Sequence, residues 1–463
     1  MLQLAALACA WGIVSEVSAA SLSWRFAGLN ALRDKKELVT WKEVSGLPEF
    51  AGFETNLVRR VASTLAKQLS HGEGNEAELI GQLTPISADL IAYPTIYELD
   101  QAGGSNTWTL AIQIPEDHHA TWTKSWDSIT KAGKSDGAKV SREGQWTVLG
   151  NGSPKGVLDR AKQQTPDVLQ IEGDGSFLQK LLPGLKPTKT ELHVSAQGNS
   201  LRSDGKIQLA EDLPFHLTPW EIPANTIREP LLGFTAIQGV SNRLARLDAF
   251  KNHPAPNQLF IWNEEVSPFS AFAAVKVDDP KSFVDDFVKG INLQEAGKKI
   301  VGKLEFNTNT HRLSLMGLPI VVPFVGPAHP DDPNFIFGGF MPIAEFSSNA
   351  MPAELKREVA SRTNLVYYDW ELTWGRAGQI RPLIQLISMG TRQPVRTFDD
   401  PASKWLIAAE KKLGNAITEI STTGPRELTL IRRSTLGLTA LELIRFVNWV
   451  AGPPTENGPP LAR

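Results

Sequence analysis

Cysteine is almost absent: the 463-residue chain has one, Cys9. No intrachain disulfide can form, and no thiolate zinc centre can be assembled from these residues. An excess of charge of one sign is also missing. Lys plus Arg number 47 against 50 Asp plus Glu, a net of -3. That balance gives no global attraction to nucleic acid or to an anionic membrane. Neither Gly-x-Gly-x-x-Gly nor Gly-x-x-x-x-Gly-Lys-Ser/Thr occurs, so nucleotide binding has no support. Gly-x-Ser-x-Gly is missing too, which leaves Ser176 in "IEGDGSFL" without a nucleophile elbow. Beyond the N-terminus no run is long and apolar enough to span a bilayer.

What remains is ordinary globular material. Hydrophobic residues make up 41% and charged residues 21%, so a folded chain with more than one core is expected. The N-terminus, "MLQLAALACAWGIVSEVSAAS", carries no charge over residues 1–14. That is the h-region of a secretory signal peptide. Ser18 and Ala20 supply small residues at cleavage spacing before Ser21. Residues 1–20 are therefore expected to be removed, and the mature protein to be exported, periplasmic or extracellular.

Along the chain, "SLSWRF" alternates as a half-buried strand. Residues 48–69 place Phe53, Leu57, Val61 and Leu65 on one helical stripe. "ADLIAYPTIYEL" and "TWTLAIQI" read as strands, and "HHATWTKSWDSITKAG" as a helix lined by Trp122, Trp126 and Ile129. "TELHVSAQGNSLRSDGKIQL" reads as a hairpin. Proline then concentrates at 214, 219, 223 and 230, which marks a boundary. Beyond it the order recurs. "LLGFTAIQ" is a strand and "QLFIWNEEVSPFSAFAAVKVDDPKSFVDDFVKG" is two strands and a helix, with Asp279 as cap and Pro280 in the first turn. The expected fold is α+β, with two similar halves of mostly antiparallel sheet and helices packed on one face. The first half spans 21–215 and the second 225–451, followed by a flexible Pro/Gly-rich tail, 452–463.

Several polar groups are candidates for chemistry. His118 and His119 are neighbours at a helix start and point apart. Asp285 and Asp286 fall on a helix face expected to be solvated. Thirteen tryptophans could stack on sugar rings, although most lie on apolar faces. The sharpest candidate is "GPAHPDDPNF", residues 326–335. With its strand-like lead "IVVPFV" and the following Gly338-Gly339, it resembles the zinc-dependent de-N-acetylases that act on N-acetylglucosamine conjugates. The resemblance covers residues 320–339. It implies His329 and Asp332 as zinc ligands and Asp331 as the general base that activates metal-bound water. Three features depart from that family. Pro333 stands where it has Glu, no histidine follows His329, and "NFIFGGF" is strand-like where it has a helix. The expectation is a Pro/Asp turn between two strands, at the surface and without metal.

The strand "FIFGGFMP" and the ending "GLTALELIRFVNWVA" are similar to those of exported bacterial proteins carrying domains of unknown function, which implies export and no known activity. The resulting expectation is a non-enzymatic exported protein that binds a partner protein or envelope component, with no cofactor and no nucleic acid. Its alternatives are a zinc-dependent amide hydrolase centred on His329, Asp331 and Asp332, and a carbohydrate-binding protein.

Overall fold

The computed structural model describes residues 21–452 apart from 71–75, 101–106, 132–136, 164, 180, 181, 183, 266–268, 291–301, 318–320, 341–348 and 391–397. The expected signal peptide and the tail from 453 onward lie outside the described residues. Helices and strands are mixed throughout, and every strand pairing described is antiparallel.

The chain opens with β1 (Ser21–Phe26), then α1 (Leu29–Asp34), α2 (Val39–Ser45), α3 (Pro48–Ser70) and α4 (Glu76–Ala92). Next come β2 (Thr95–Asp100), β3 (Thr107–Ile112), α5 (Glu116–Lys131), β4 (Lys139–Glu143) and β5 (Trp146–Gly150). After α6 (Pro154–Ala161) follow β6 (Asp167–Gly173), β7 (Pro187–Gln197) and β8 (Ser200–Leu209). The next stretch holds β9 (Leu231–Gln238), α7 (Ser241–Leu244), β10 (Gln258–Glu264), β11 (Ala271–Lys276) and α8 (Pro280–Gly290). Four strands follow: β12 (Lys303–Asn307), β13 (Arg312–Met316), β14 (Phe324–Pro327) and β15 (Phe335–Gly339). The chain continues through α9 (Ala353–Ala360), β16 (Leu365–Leu372), α10 (Thr373–Gly390) and α11 (Pro401–Glu410). It closes with β17 (Asn415–Gly424), β18 (Glu427–Ser434) and α12 (Ala440–Ala451).

Packing divides the chain into two compact units. The first takes the described residues of Met1–Asp212, Thr397–Gly414 and Gly424–Arg463; the second takes those of Leu213–Arg396 and Asn415–Thr423. The break at 212/213 falls beside the proline cluster. The expected second half, 225–451, is not one compact unit, because α11, β18 and α12 pack with the first.

In the first unit the strand order is β4-β5-β3-β2-β1-β6-β7-β8-β18. In the second it is β12-β13-β14-β15-β11-β10-β9-β16-β17. Helices cover both faces of these sheets, not one as expected. In β3, Leu110, Ala111 and Ile112 are consecutive and fully buried, the mark of a strand covered on both sides. Ala111 joins Val157 of α6 in one apolar cluster, while Trp108, on the opposite face, meets Trp126 of α5 with ring centroids 6.3 Å apart. The second unit does the same. Val275 and Ile336 pack with Phe283 and Val284 of α8, and Ala274 and Phe337 belong to the cluster that includes Val359 of α9. Asp279 caps α8 as expected, accepting from the amides of Lys281 at 3.0 Å and Ser282 at 3.1 Å.

A helical layer completes the first unit. Phe53 of α3 lies 4.4 Å from the Trp405 ring of α11 and 6.1 Å from Phe446 of α12. The Trp405 indole donates to the Val44 carbonyl at 2.8 Å, so its one polar atom is satisfied in the core. Residues 88–92 of the expected strand "ADLIAYPTIYEL" are instead the last turns of α4. Leu79, Leu83, Ile86 and Leu90 line its buried stripe.

Candidate functional site

The 326–335 stretch is a turn joining β14 to β15, whose register pairs Pro327 with Ile336. Within it the amide of Ala328 donates to Phe335 at 2.9 Å and that of Asp332 to the His329 carbonyl at 2.8 Å. The three residues that could hold and use zinc face different surroundings. Asp332 is buried, 7% exposed, where the whole turn was expected at the surface. Its Oδ2 accepts from the amides of Asn225 at 3.0 Å and Thr226 at 2.7 Å and from the Thr226 hydroxyl at 2.7 Å. Its Oδ1 accepts from the Asn225 side-chain amide at 3.1 Å. The Thr226 hydroxyl in turn accepts from the His329 amide at 3.2 Å. Asp332 therefore ties the β14–β15 turn to the proline-rich segment at 223–227.

His329 is engaged by its own turn: Nδ1 accepts from the Asp331 amide at 3.2 Å, with the Asp331 carboxylate 3.6 Å away. Asp331 itself is 73% exposed. Asp332 thus accepts four hydrogen bonds, three on Oδ2 and one on Oδ1. Among the described residues no three His, Cys, Asp or Glu side chains stand together as a metal-holding group.

The other histidines mostly meet aspartates. In the first unit His118 Nδ1 lies 2.8 Å from Asp89, which also accepts from the Trp122 indole at 2.8 Å. His119 turns instead to the Thr147 hydroxyl at 3.1 Å, so the neighbouring pair does point apart. In the second unit Asp285 and Asp286 are half-buried and held by histidines, where a solvated face was expected. His311 Nδ1 lies 2.9 Å from Asp285, and His253 Nε2 lies 3.4 Å from Asp286. The segments bearing the two histidines, one before β10 and one before β13, close over this helix face. Ser176 falls in a 3-10 turn, Gly175–Leu178; its side chain lies outside the described residues.

A buried polar cluster in the second unit has no signature in the sequence. Asp369 and Glu371 share one face of β16, and Arg376 of α10 reaches both, at 3.2 and 3.6 Å. Asp369 also accepts from the Thr235 hydroxyl at 2.5 Å. The guanidinium lies against Gly233 of β9, where an added Cβ would come 2.7 Å from Arg376 Nη1 and push the guanidinium aside. At the end of β10, Glu264 is 5% exposed. Burial pushes its carboxyl up to about 7, against the opposing effects of the Trp262 indole, which donates to it at 3.2 Å, and of the Arg228 cation.

Two clefts are lined by groups suited to binding. One, of about 240 Å³ in the second unit, is bordered by Thr218, His253, Gln258 and the Glu221–Lys276 ion pair, 2.6 Å long. The other, of about 330 Å³ in the first unit, lies among α3, α4 and the end of α12, with Asn56, Arg59, Arg60 and Ser63 on its α3 wall. The tryptophans contribute little surface: Trp24, Trp122, Trp262 and Trp405 are buried, and among the described residues Trp374, 40% exposed, is the one exposed indole.

Comparison of the chain with protein-family models, with curated proteins and with solved structures finds no match.

Proposed function

We propose that the chain is an exported, non-enzymatic binding protein that holds a partner protein or envelope component in its grooves. The observation that carries this reading is the commitment of Asp332. The carboxylate that a zinc hydrolase would need as a ligand accepts four hydrogen bonds that join two segments of the second unit. Asp285, Asp286 and Asp89 are likewise engaged by histidines. Export is supported by the place of Ser21. It would become the N-terminal residue on cleavage, and it already belongs to β1, its amide donating to Asp174 at 2.9 Å.

The scaffold is read as a duplicated α+β unit. β1 lies between β2 and β6 in the first sheet, as β9 lies between β10 and β16 in the second. Helix α5 follows β3 as α8 follows β11. An experimental structure in which these strand sets fail to superpose would remove the duplication.

The functional reading is tested by assaying the purified mature protein with added zinc on an N-acetylglucosamine conjugate. No acetate release above a protein-free control is expected. Release that disappears in His329→Ala would replace the binding reading with the hydrolase. Mass spectrometry of protein from the native host should give a chain beginning at Ser21; retained Met1 in the cytosol would refute export.

A further inference from the structure

On α3, residues 56, 59, 60 and 63 recur at i, i+3, i+4 and i+7, so Asn56, Arg59, Arg60 and Ser63 form one polar stripe. The stripe is one wall of the 330 Å³ cleft; Ile80 and Thr84 of α4 and the residues Val450, Ala451 and Gly452 complete it. Among the described residues no acidic side chain lines it. Arg60 is half-buried, with its guanidinium carbon 5.5 Å from the centroid of the Trp449 ring, and burial lowers its pKa. Arg59 is exposed and makes no ion pair among the described residues.

Ser63 is the independent observation. It is 6% exposed, and its hydroxyl has no hydrogen-bond partner among the described residues. The neighbouring hydroxyls of the same helix behave differently: Thr55 and Thr64 each donate back to the carbonyl four residues earlier, at 2.9 Å. An unpaired buried hydroxyl costs about 1–3 kcal/mol, and a ligand oxygen in the cleft would satisfy it. The carbonyl end of α12 contributes about half a negative charge nearby, much less than two guanidinium groups. Guanidinium forks match phosphate oxygens, and the hydroxyl adds a third kind of donor. Ile80 and Val450 offer an apolar wall beside them.

We infer that this cleft binds a phosphomonoester carrying a short apolar group, with Arg59 and Arg60 on the phosphate and Ser63 donating to one of its oxygens. The cleft has the same chemistry whether or not the chain is exported. Isothermal titration of the full mature protein with butyl phosphate tests it. Saturable one-to-one binding is expected, tighter than that of inorganic phosphate. Arg59→Gln should weaken it about tenfold or more, and Ser63→Ala should weaken it to a smaller extent. Arg246→Gln, which removes the same charge from an exposed position of the second unit, should leave it unchanged. Absence of saturation in the unmodified protein would overturn the inference. So would an equal loss in Arg246→Gln, or butyrate binding as tightly as butyl phosphate. Vesicles of phosphatidylcholine with and without phosphatidic acid separate the sources. Co-sedimentation only with phosphatidic acid assigns a lipid headgroup, and butyl phosphate binding without co-sedimentation assigns a soluble ester.

Discussion

In each unit an arginine stands between two carboxylates of the sheet, Arg160 in the first and Arg376 in the second, and the two arrangements differ mainly in burial. In the first unit Arg160 of α6 reaches Glu98 at 2.7 Å and Glu172 at 3.3 Å, and all three side chains are between 27% and 38% exposed. Glu98 and Glu172 flank Ser23 of the central strand in register. In the second unit Arg376 reaches Asp369 and Glu371, whose side chains are 5% and 1% exposed. There the central strand supplies Gly233. Both units thus place a small residue of the central strand in register with an acid that the arginine meets. The same charges should nonetheless contribute very differently. Exposed pairs are screened by water and contribute little. A buried pair resists loss of one partner because the other is left uncompensated.

The largest expected effect follows from that contrast. Arg376→Met should destabilise the protein by about 3–5 kcal/mol, because two buried carboxylates lose their counter-charge. Urea denaturation measures it, and adding Asp369→Asn and Glu371→Gln should recover much of the loss. A change below about 1 kcal/mol would show that water reaches the cluster.

Glu264 sharpens the comparison through pH. Its folded carboxyl titrates near 7, above the ordinary glutamate value. The folded state therefore binds a proton that the unfolded state has released, and this contribution is full below about pH 4.3. It is lost as pH rises through about 7. Glu264→Gln should flatten that decline and stabilise the protein by about 2–3 kcal/mol at pH 8, with little effect at pH 4. Denaturation midpoints across this range decide it; parallel curves for the two proteins would refute the burial argument. The smallest effect is expected for Arg160→Gln, within about 1 kcal/mol and reduced further by salt.

Much of the fold was legible because it rests on local periodicity. The stripe of Phe53, Leu57, Val61 and Leu65 and the Asp279-Pro280 start identify α3 and α8 directly. Helix α4 was not legible: Gly81 and Pro85 interrupt it, and its last turns run into β2, so the apolar stretch from Ala88 reads as extended chain. Helices on both faces were hinted at by the unbroken run Leu110-Ala111-Ile112, which strict alternation does not explain.

The candidate sites depend on partners remote in sequence. Asp332 finds Asn225 and Thr226 more than a hundred positions away. No local pattern separates such a buried acceptor from a zinc ligand. The α3 spacing puts Arg59, Arg60 and Ser63 on one side of a helix, but only the packing of α4 and α12 makes that side a cleft.

The central claim is that Asp332 joins two segments of the fold and that His329 and Asp331 hold no metal. The direct measurement pairs thermal denaturation with metal analysis for the unmodified protein, Asp332→Ala and His329→Ala. Asp332→Ala should lower stability by about 3 kcal/mol, since it leaves the buried amide of Thr226 and the half-buried amide of Asn225 without an acceptor. His329→Ala should change stability by less than about 1 kcal/mol, and none of the three proteins should carry stoichiometric zinc. Zinc bound one-to-one in the unmodified protein and lost in both variants, with stability falling equally in each, would contradict the account.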